Sequence, residues 1–237
     1  MITIEKTRVS GIEEAIRGMR NPMNSWKQSD SDWDFQPAGY TAADTDAIGP
    51  ADTIKFILGD KDEELMLNLN AAGTSHSKYR RMIAVWVDIT APLYWWKEFD
   101  TYKVGTVANS CSTMHKLASR DLTLSDFSWE HLIYDEPVPD RSVTAAGLLK
   151  LTIDIINQYR KMYQQTKDKK YWWQMIQLLP SSYNQKRTVM LNYEVLAKIF
   201  KERSGHKLDE WREFLKWIEG LPYSQIIAFD INDRVGE

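Results

Sequence analysis

At 237 residues the chain is long enough for one α+β domain with a substantial core, residues 1–237, and too short to hold a second full domain comfortably. Its apolar share is that of a globular protein; no apolar run nears the ~20 residues a bilayer span needs, and "MITIEKTRVSGIEEA" lacks a secretory leader, so a cytoplasmic location without membrane contact is expected. The formal net charge of −3 leaves no basic excess to neutralise phosphates, which excludes generic nucleic-acid binding.

In chain order, "VSGIEEAIRGMRN" has the amphipathic pattern of a short helix, ended by Asn21-Pro22. Residues 25–50 carry scattered aromatics in a polar stretch with no period, which predicts an irregular loop, and loops of this length are often functional. Asp60 to Ala72 predicts a helix with an acidic first turn and Gly73 to end it. The β-branched run in "RRMIAVWVDI" predicts a strand, after which Pro92 opens a helix through Trp96. A second helix is predicted from near Gly105 past His115, followed by a turn at "EPVPD". Ser142 opens a long helix in which Leu148, Leu151, Ile155 and Tyr159 recur at helical spacing. "YWWQMIQLLP" is a helix stopped at Pro180, "TVMLNYEVLAKIFKERSG" one closed by Gly205, and "KLDEWREFLKWIEGLP" one closed by Gly220. The sum is a helix-dominated α+β chain.

The order of these elements and several local words resemble the flavin-dependent thymidylate synthases over roughly residues 60 to 220. "DEELMLNLNAAGTSHSKYRRMIAVWVDITAP" is similar to the family's helix, His-x-Ser turn and strand ending in Ala-Pro, and "LLP", "RTVMLN" and "FKERSGHKLDEWR" follow in the family's order. The resemblance implies a helix-rich fold with a small antiparallel sheet, FAD as cofactor, and dUMP or another small anionic nucleotide at subunit interfaces. It also implies a homo-oligomer, a tetramer in the family, and methyl transfer as the chemistry.

Residue by residue, the family's Arg-His-Arg signature falls on Thr101, Tyr102 and Lys103, or on Tyr102, Lys103 and Val104, so Lys103 is the one cation retained. The signature's closing Asn and Ser fall on Asn109 and on Cys111 or Ser112. His76 and Ser77 lie in the His-x-Ser turn region, Arg80 and Arg81 precede the strand, and Asn192 fits a helix Asn, with Glu194 where the family has Arg. The resemblance therefore implies a flavin side of His76, Ser77, Arg80, Arg81 and Asn192. It implies a substrate side of Asn109, Arg187, Arg203 and Arg212, and Lys103, Cys111, Ser112 and Arg212 as the reacting set. Arg212 is the candidate to polarise a pyrimidine, or else a surface helical Arg beside Glu213.

Charge adds a separate signal: acidic side chains dominate residues 29–64 and basic ones residues 146–217, so the second half is suited to an anion, or to a solvated helical face. Arg is favoured for phosphate because its planar fork grips two oxygens. Cys111 with His115 one helical turn on could be an activated thiol, or Cys111 a buried inert one. The four His are isolated and no ligand spacing exists, so no metal site is expected. In "YWWKEF" and "YWW" adjacent Trp side chains point about 100° apart on a helix, so one of each pair should pack in the core or an interface. A degraded Arg-His-Arg set implies little ordinary thymidylate synthase activity. The alternative is a non-catalytic nucleotide-sensing or partner-protein-binding protein on the same scaffold.

Overall fold

The computed structural model describes residues 1–36 and 53–228. In chain order these form β1 (Thr3–Ser10), α1 (Ile12–Arg20), β2 (Asp32–Gln36), β3 (Thr53–Ile57), α2 (Asp60–Ala71), β4 (Ala84–Pro92) and α3 (Leu93–Phe99). There follow β5 (Val107–Ser110), α4 (Thr113–Lys116), α5 (Ala145–Thr166), α6 (Lys169–Leu178), β6 (Asn184–Asn192), α7 (Tyr193–Arg203) and α8 (Asp209–Glu219). Short 3-10 turns lie between them, one at Lys78–Met82 immediately before β4. Strands pair as a four-stranded antiparallel sheet in the order β1-β4-β6-β5 and as a two-stranded β2-β3 ribbon. This is the helix-rich α+β architecture with a small antiparallel sheet.

The sheet buries one face. Val85, Val87, Ile89 and Ala91 of β4 alternate inward with Val189 and Leu191 of β6, as a period of two requires. Against them pack Ala15 and Ile16 of α1, Trp95, Trp96 and Phe99 of α3, Leu196 and Ile199 of α7, and Trp211 and Phe214 of α8. The other face carries Asp88, which accepts from Thr188 Oγ1 at 2.7 Å and pairs with Lys186 at 3.3 Å. A second apolar cluster joins Leu117, Leu122 and Phe127 to Leu149, Ile153 and Ile156 of α5 and Met175 of α6. Among the described residues no helix is long and apolar enough to cross a membrane.

Several expectations are corrected. The helix predicted from Gly105 past His115 is a strand, β5, followed by the short α4: Gly105 turns the chain at φ +83°, and Val107–Ser110 pair with Met190–Arg187. The run read as one helix from Thr188 is strand as far as Asn192, because pairing with β4 along all nine residues of β6 outweighs local helix preference. β1 and β3 are strands that no pattern announced; β1 is an edge whose side chains are mostly exposed. Within the predicted 25–50 loop, Trp26–Gln28 is a 3-10 turn and Asp32–Gln36 is β2, while residues 37–50 lie outside the described residues. α5 starts two residues beyond the expected Ser142 cap, at Thr144, whose Oγ1 accepts from Gly147 N at 2.9 Å. Its inward residues are Ala146, Leu149, Ile153 and Ile156, so the predicted Leu148, Leu151 and Ile155 stripe faces outward.

One buried carboxylate ties the amino-terminal elements together. Asp62, fully buried in the first turn of α2, accepts from Arg20 Nε at 2.6 Å, Ser29 Oγ at 2.6 Å, Ser31 Oγ at 2.7 Å, and the Ser31 and Asp30 amides at 3.1 and 3.2 Å. Burial pushes its pKa up, but the bonds from Ser29, Ser31 and Arg20 together outweigh that and hold it below the usual carboxylate value. The stability it contributes is therefore fully present above about pH 4, the ordinary Asp range, and is lost as pH falls through the lower folded value. Asp62→Asn strands Arg20 in the interior and should cost about 3–5 kcal/mol at pH 7. Urea denaturation at stepped pH is the check: the substituted protein should lose much of the wild type's acid-dependent decline below about pH 4.

Candidate functional site

The register of the central strands builds the site. Ala84 pairs with Asn192, and Tyr193 N donates to Ile83 O at 3.1 Å, so the turn before β4 lies against the first turn of α7. Between them opens a cleft of about 1020 Å³, lined by Arg80, Arg81, Thr74, Tyr102, Gly105, Glu194, Lys198 and Lys201 among others. That is at the upper end of the range for small-molecule sites. Asn192 caps α7, its Oδ1 accepting from Val195 N at 3.1 Å. Gly105 closes the wall: a Cβ there would lie 3.0 Å from Val195 Cγ2 and 3.1 Å from Asn192 Nδ2, and φ is +83°. Only glycine takes that backbone without strain.

The charges in the cleft are incompletely satisfied. Glu194 Oε2 lies 3.9 Å from Arg80 Nε and Oε1 4.0 Å from Arg81, close enough for attraction and too far for hydrogen bonds. Arg80 Nε and Glu194 Oε2 are both buried without a hydrogen-bond partner. Burial pulls the Arg80 pKa below its usual value, an effect that Tyr79 and Glu194 oppose. Behind this pair Tyr79 is itself buried; its hydroxyl donates to Asn70 Oδ1 at 2.8 Å, and burial raises its pKa.

Of the residues singled out from the sequence, Arg80, Arg81 and Asn192 meet in this cleft. His76 is exposed in the preceding turn, and Ser77 is buried with its Oγ donating to Gly73 O at 3.3 Å. Lys103 is exposed beside the cleft residues Tyr102 and Val104. Asn109 lies on exposed β5 and Cys111 is exposed just after it, its carbonyl accepting from Gln185 Nε2 at 2.8 Å; Ser112 follows. Cys111 thus precedes α4 rather than sharing a helical face with His115, whose side chain lies outside the described set, and the buried-thiol reading of Cys111 is replaced by an exposed one.

The remaining arginines are engaged elsewhere. Arg187 pairs with Asp100 at 2.7 Å and stacks 4.1 Å over the Trp96 ring. Arg203 pairs with Glu98 at 2.9 Å, donates to Tyr102 Oη at 2.9 Å and stacks over Trp211. Glu98 also accepts from Trp211 Nε1 at 2.8 Å and lies 3.3 Å from His206. Arg212 is exposed on α8, paired with Asp209. Both Trp95 and Trp96 are fully buried, so neither stacks on a ligand, whereas Trp172 packs at the second apolar cluster and Trp173 is exposed.

Lys198 and Lys201 were not anticipated. They lie four and seven residues beyond Glu194 on one helical face, a spacing visible in the sequence once α7 is known to start at Tyr193.

No family model matches the chain, and no curated protein matches its sequence. Solved structures do match. Thymidylate synthase X from Helicobacter pylori with FAD and dUMP superposes with a TM-score of 0.63 at 13% identity, over 97% of this chain and 98% of that one. A second structure of the flavin-dependent thymidylate synthase from Helicobacter pylori, complexed with FAD and dUMP, gives 0.63 at 14%, over 97% of both. The UMP/dUMP methylase PolB from Streptomyces cacaoi bound with 5-Br dUMP gives 0.54 at 14%, over 93% of this chain and 89% of that one. The chain has the fold of the flavin-dependent thymidylate synthases.

The geometry separates a supporting arginine, Arg203, from an exposed one, Arg212. Arg203→Ala removes charge-assisted bonds to partly buried Glu98 and should lower unfolding free energy by about 1–3 kcal/mol, whereas exposed Arg212→Ala should change it by less than about 1 kcal/mol. Chemical denaturation of both variants tests the contrast.

Proposed function

We propose that the cleft binds a nucleotide-like anion and that the chain is a divergent homo-oligomeric relative of the flavin-dependent thymidylate synthases. The observation that carries this is electrostatic: Arg80, Arg81, Lys198 and Lys201 line one large cleft, with Glu194 the carboxylate among the described lining residues. Phosphate needs fixed positive donors, and two lysines and two guanidinium groups around one opening supply them. The fold neighbours crystallised with FAD, dUMP and 5-Br dUMP support the same ligand class.

A flavin dinucleotide fits this volume and charge; Arg81, Lys198 and Lys201 would hold its diphosphate. When bound, the flavin supplies a hydride. Of the residues that match the family's reacting set, Lys103, Asn109, Cys111 and Ser112 do not line the cleft, and Lys103 is the only cation of the signature segment. One ammonium does not reproduce two guanidinium forks. Little or no ordinary thymidylate synthase activity follows, and a thymidine-requiring bacterium expressing this chain should fail to grow without thymidine.

The outward stripe of α5, with Leu148, Leu151, Ile155 and Met162 all more than a third exposed, has the spacing of a helix seam and supports self-association. Leu151→Glu with Ile155→Glu should reduce a dimer or tetramer to a species near 27.6 kDa by multi-angle light scattering.

Calorimetry tests the ligand reading. The protein should bind at least one of dUMP, dCMP, AMP or FAD, and Lys198→Ala with Lys201→Ala should weaken that binding about tenfold to a hundredfold. Absence of binding by all of them, with the purified protein colourless in added FAD, would overturn the reading.

A further inference from the structure

The polar side chains of the cleft divide into those already consumed by the protein and those left over. Asn70 donates to Ile226 O at 3.0 Å and accepts from Tyr79; Asn192 accepts from Val195 N; Tyr102 Oη accepts from Arg203. What remains is the hydroxyls of Thr74 and Ser204, a set of cations of which Lys198 already lies 3.8 Å from Glu202, and one carboxylate, Glu194, whose Oε2 is buried with no hydrogen-bond partner. Its nearest partners, Arg80 and Arg81, stand off at 3.9 and 4.0 Å, and its side chain keeps 21% exposure. A carboxylate whose only work was to neutralise these arginines would close to hydrogen-bond distance, since a buried polar atom without a partner is costly.

We propose that Glu194 selects the ligand's base, accepting an N–H from an exocyclic amino group while Arg80 donates to the adjacent ring nitrogen. The cleft then takes an amino-bearing base, cytosine or adenine, in preference to its oxo counterpart, uracil or hypoxanthine. This rests on the nucleotide reading of the cleft above. The physical reason is polarity: a carboxylate offers only acceptors, so it pairs with an amino group and faces a carbonyl oxygen acceptor to acceptor. Sites that hydrogen-bond a polar group reject the analogue lacking it far more strongly than apolar pockets reject a size change. The phosphate falls to Lys198 and Lys201, one and two turns along the same face of α7.

The test uses matched pairs, dCMP against dUMP and AMP against IMP, with inorganic pyrophosphate as a probe of the cationic end, all by calorimetry on the full chain. In at least one pair the amino member should bind about tenfold or more tightly, and Glu194→Gln, whose amide offers donor and acceptor alike, should bring that ratio within about threefold. If neither amino member binds at least about threefold more tightly than its oxo partner, or if Glu194→Gln changes both affinities of a pair equally and leaves the ratio intact, Glu194 is an ion-pair partner and the proposal fails. Binding of pyrophosphate without base discrimination overturns this proposal and leaves the anion site standing. No binding by any probe overturns both.

Discussion

The antiparallel register between β4 and β6 is the constraint on which the rest depends. With Ala84 opposite Asn192 and Pro92 opposite Asn184, the two central strands start and stop together. Whatever precedes β4 must then meet whatever follows β6. That is why Arg80 and Arg81, in the turn before one strand, stand beside Glu194, in the first turn of the helix after the other, across more than a hundred residues of chain. A slip of one residue would turn Val85, Val87 and Ile89 out of the core, so burial of that face fixes the register and, through it, the cleft.

Buried and partly buried charge is handled in two opposite ways. Asp62 is enclosed by hydroxyls, amides and Arg20 at hydrogen-bond distances, and Glu98 collects Arg203, Trp211 and weaker support from His206. Those carboxylates tie elements together: α1 to α2 in the first case, α3 to α7 and α8 in the second. Around Glu194 the same residue types stand apart, with two buried atoms unpaired. Native interiors satisfy nearly all such atoms, so a group left over at the wall of a large cleft is where a ligand's own hydrogen bonds have something to gain.

The aromatic residues follow the same division. Trp95, Trp96, Phe99, Trp211 and Phe214 form one buried cluster under α3 and α8, ring against ring at 4.8–6.5 Å. They fill the core and hold the Glu98 knot from beneath, which leaves the cleft to be defined by charge and by the close approach of Gly105 to α7.

Local chemistry in the sequence determined most of the helices. The acidic first turn of α2, the Pro92 start of α3, the Pro180 stop after α6 and the Gly220 end of α8 are signals that a helix terminus carries with it. The sequence likewise marked β4 by its β-branched run, and Arg80, Arg81 and Asn192 by their place in a resemblance. It could not show that Thr188–Asn192 leaves the helical pattern, or that β1, β3 and β5 exist, because a short or edge strand is stabilised by a partner distant in the chain. For α5 the helical spacing singled out Leu148, Leu151, Ile155 and Tyr159, whereas contact with α6 and Leu117–Phe127 turned Leu149, Ile153 and Ile156 inward. Tertiary structure alone brought Lys198, Lys201 and Glu194 to face Arg80, since a charge on a helix acquires a neighbour across a cleft only when the strands behind it have chosen their register.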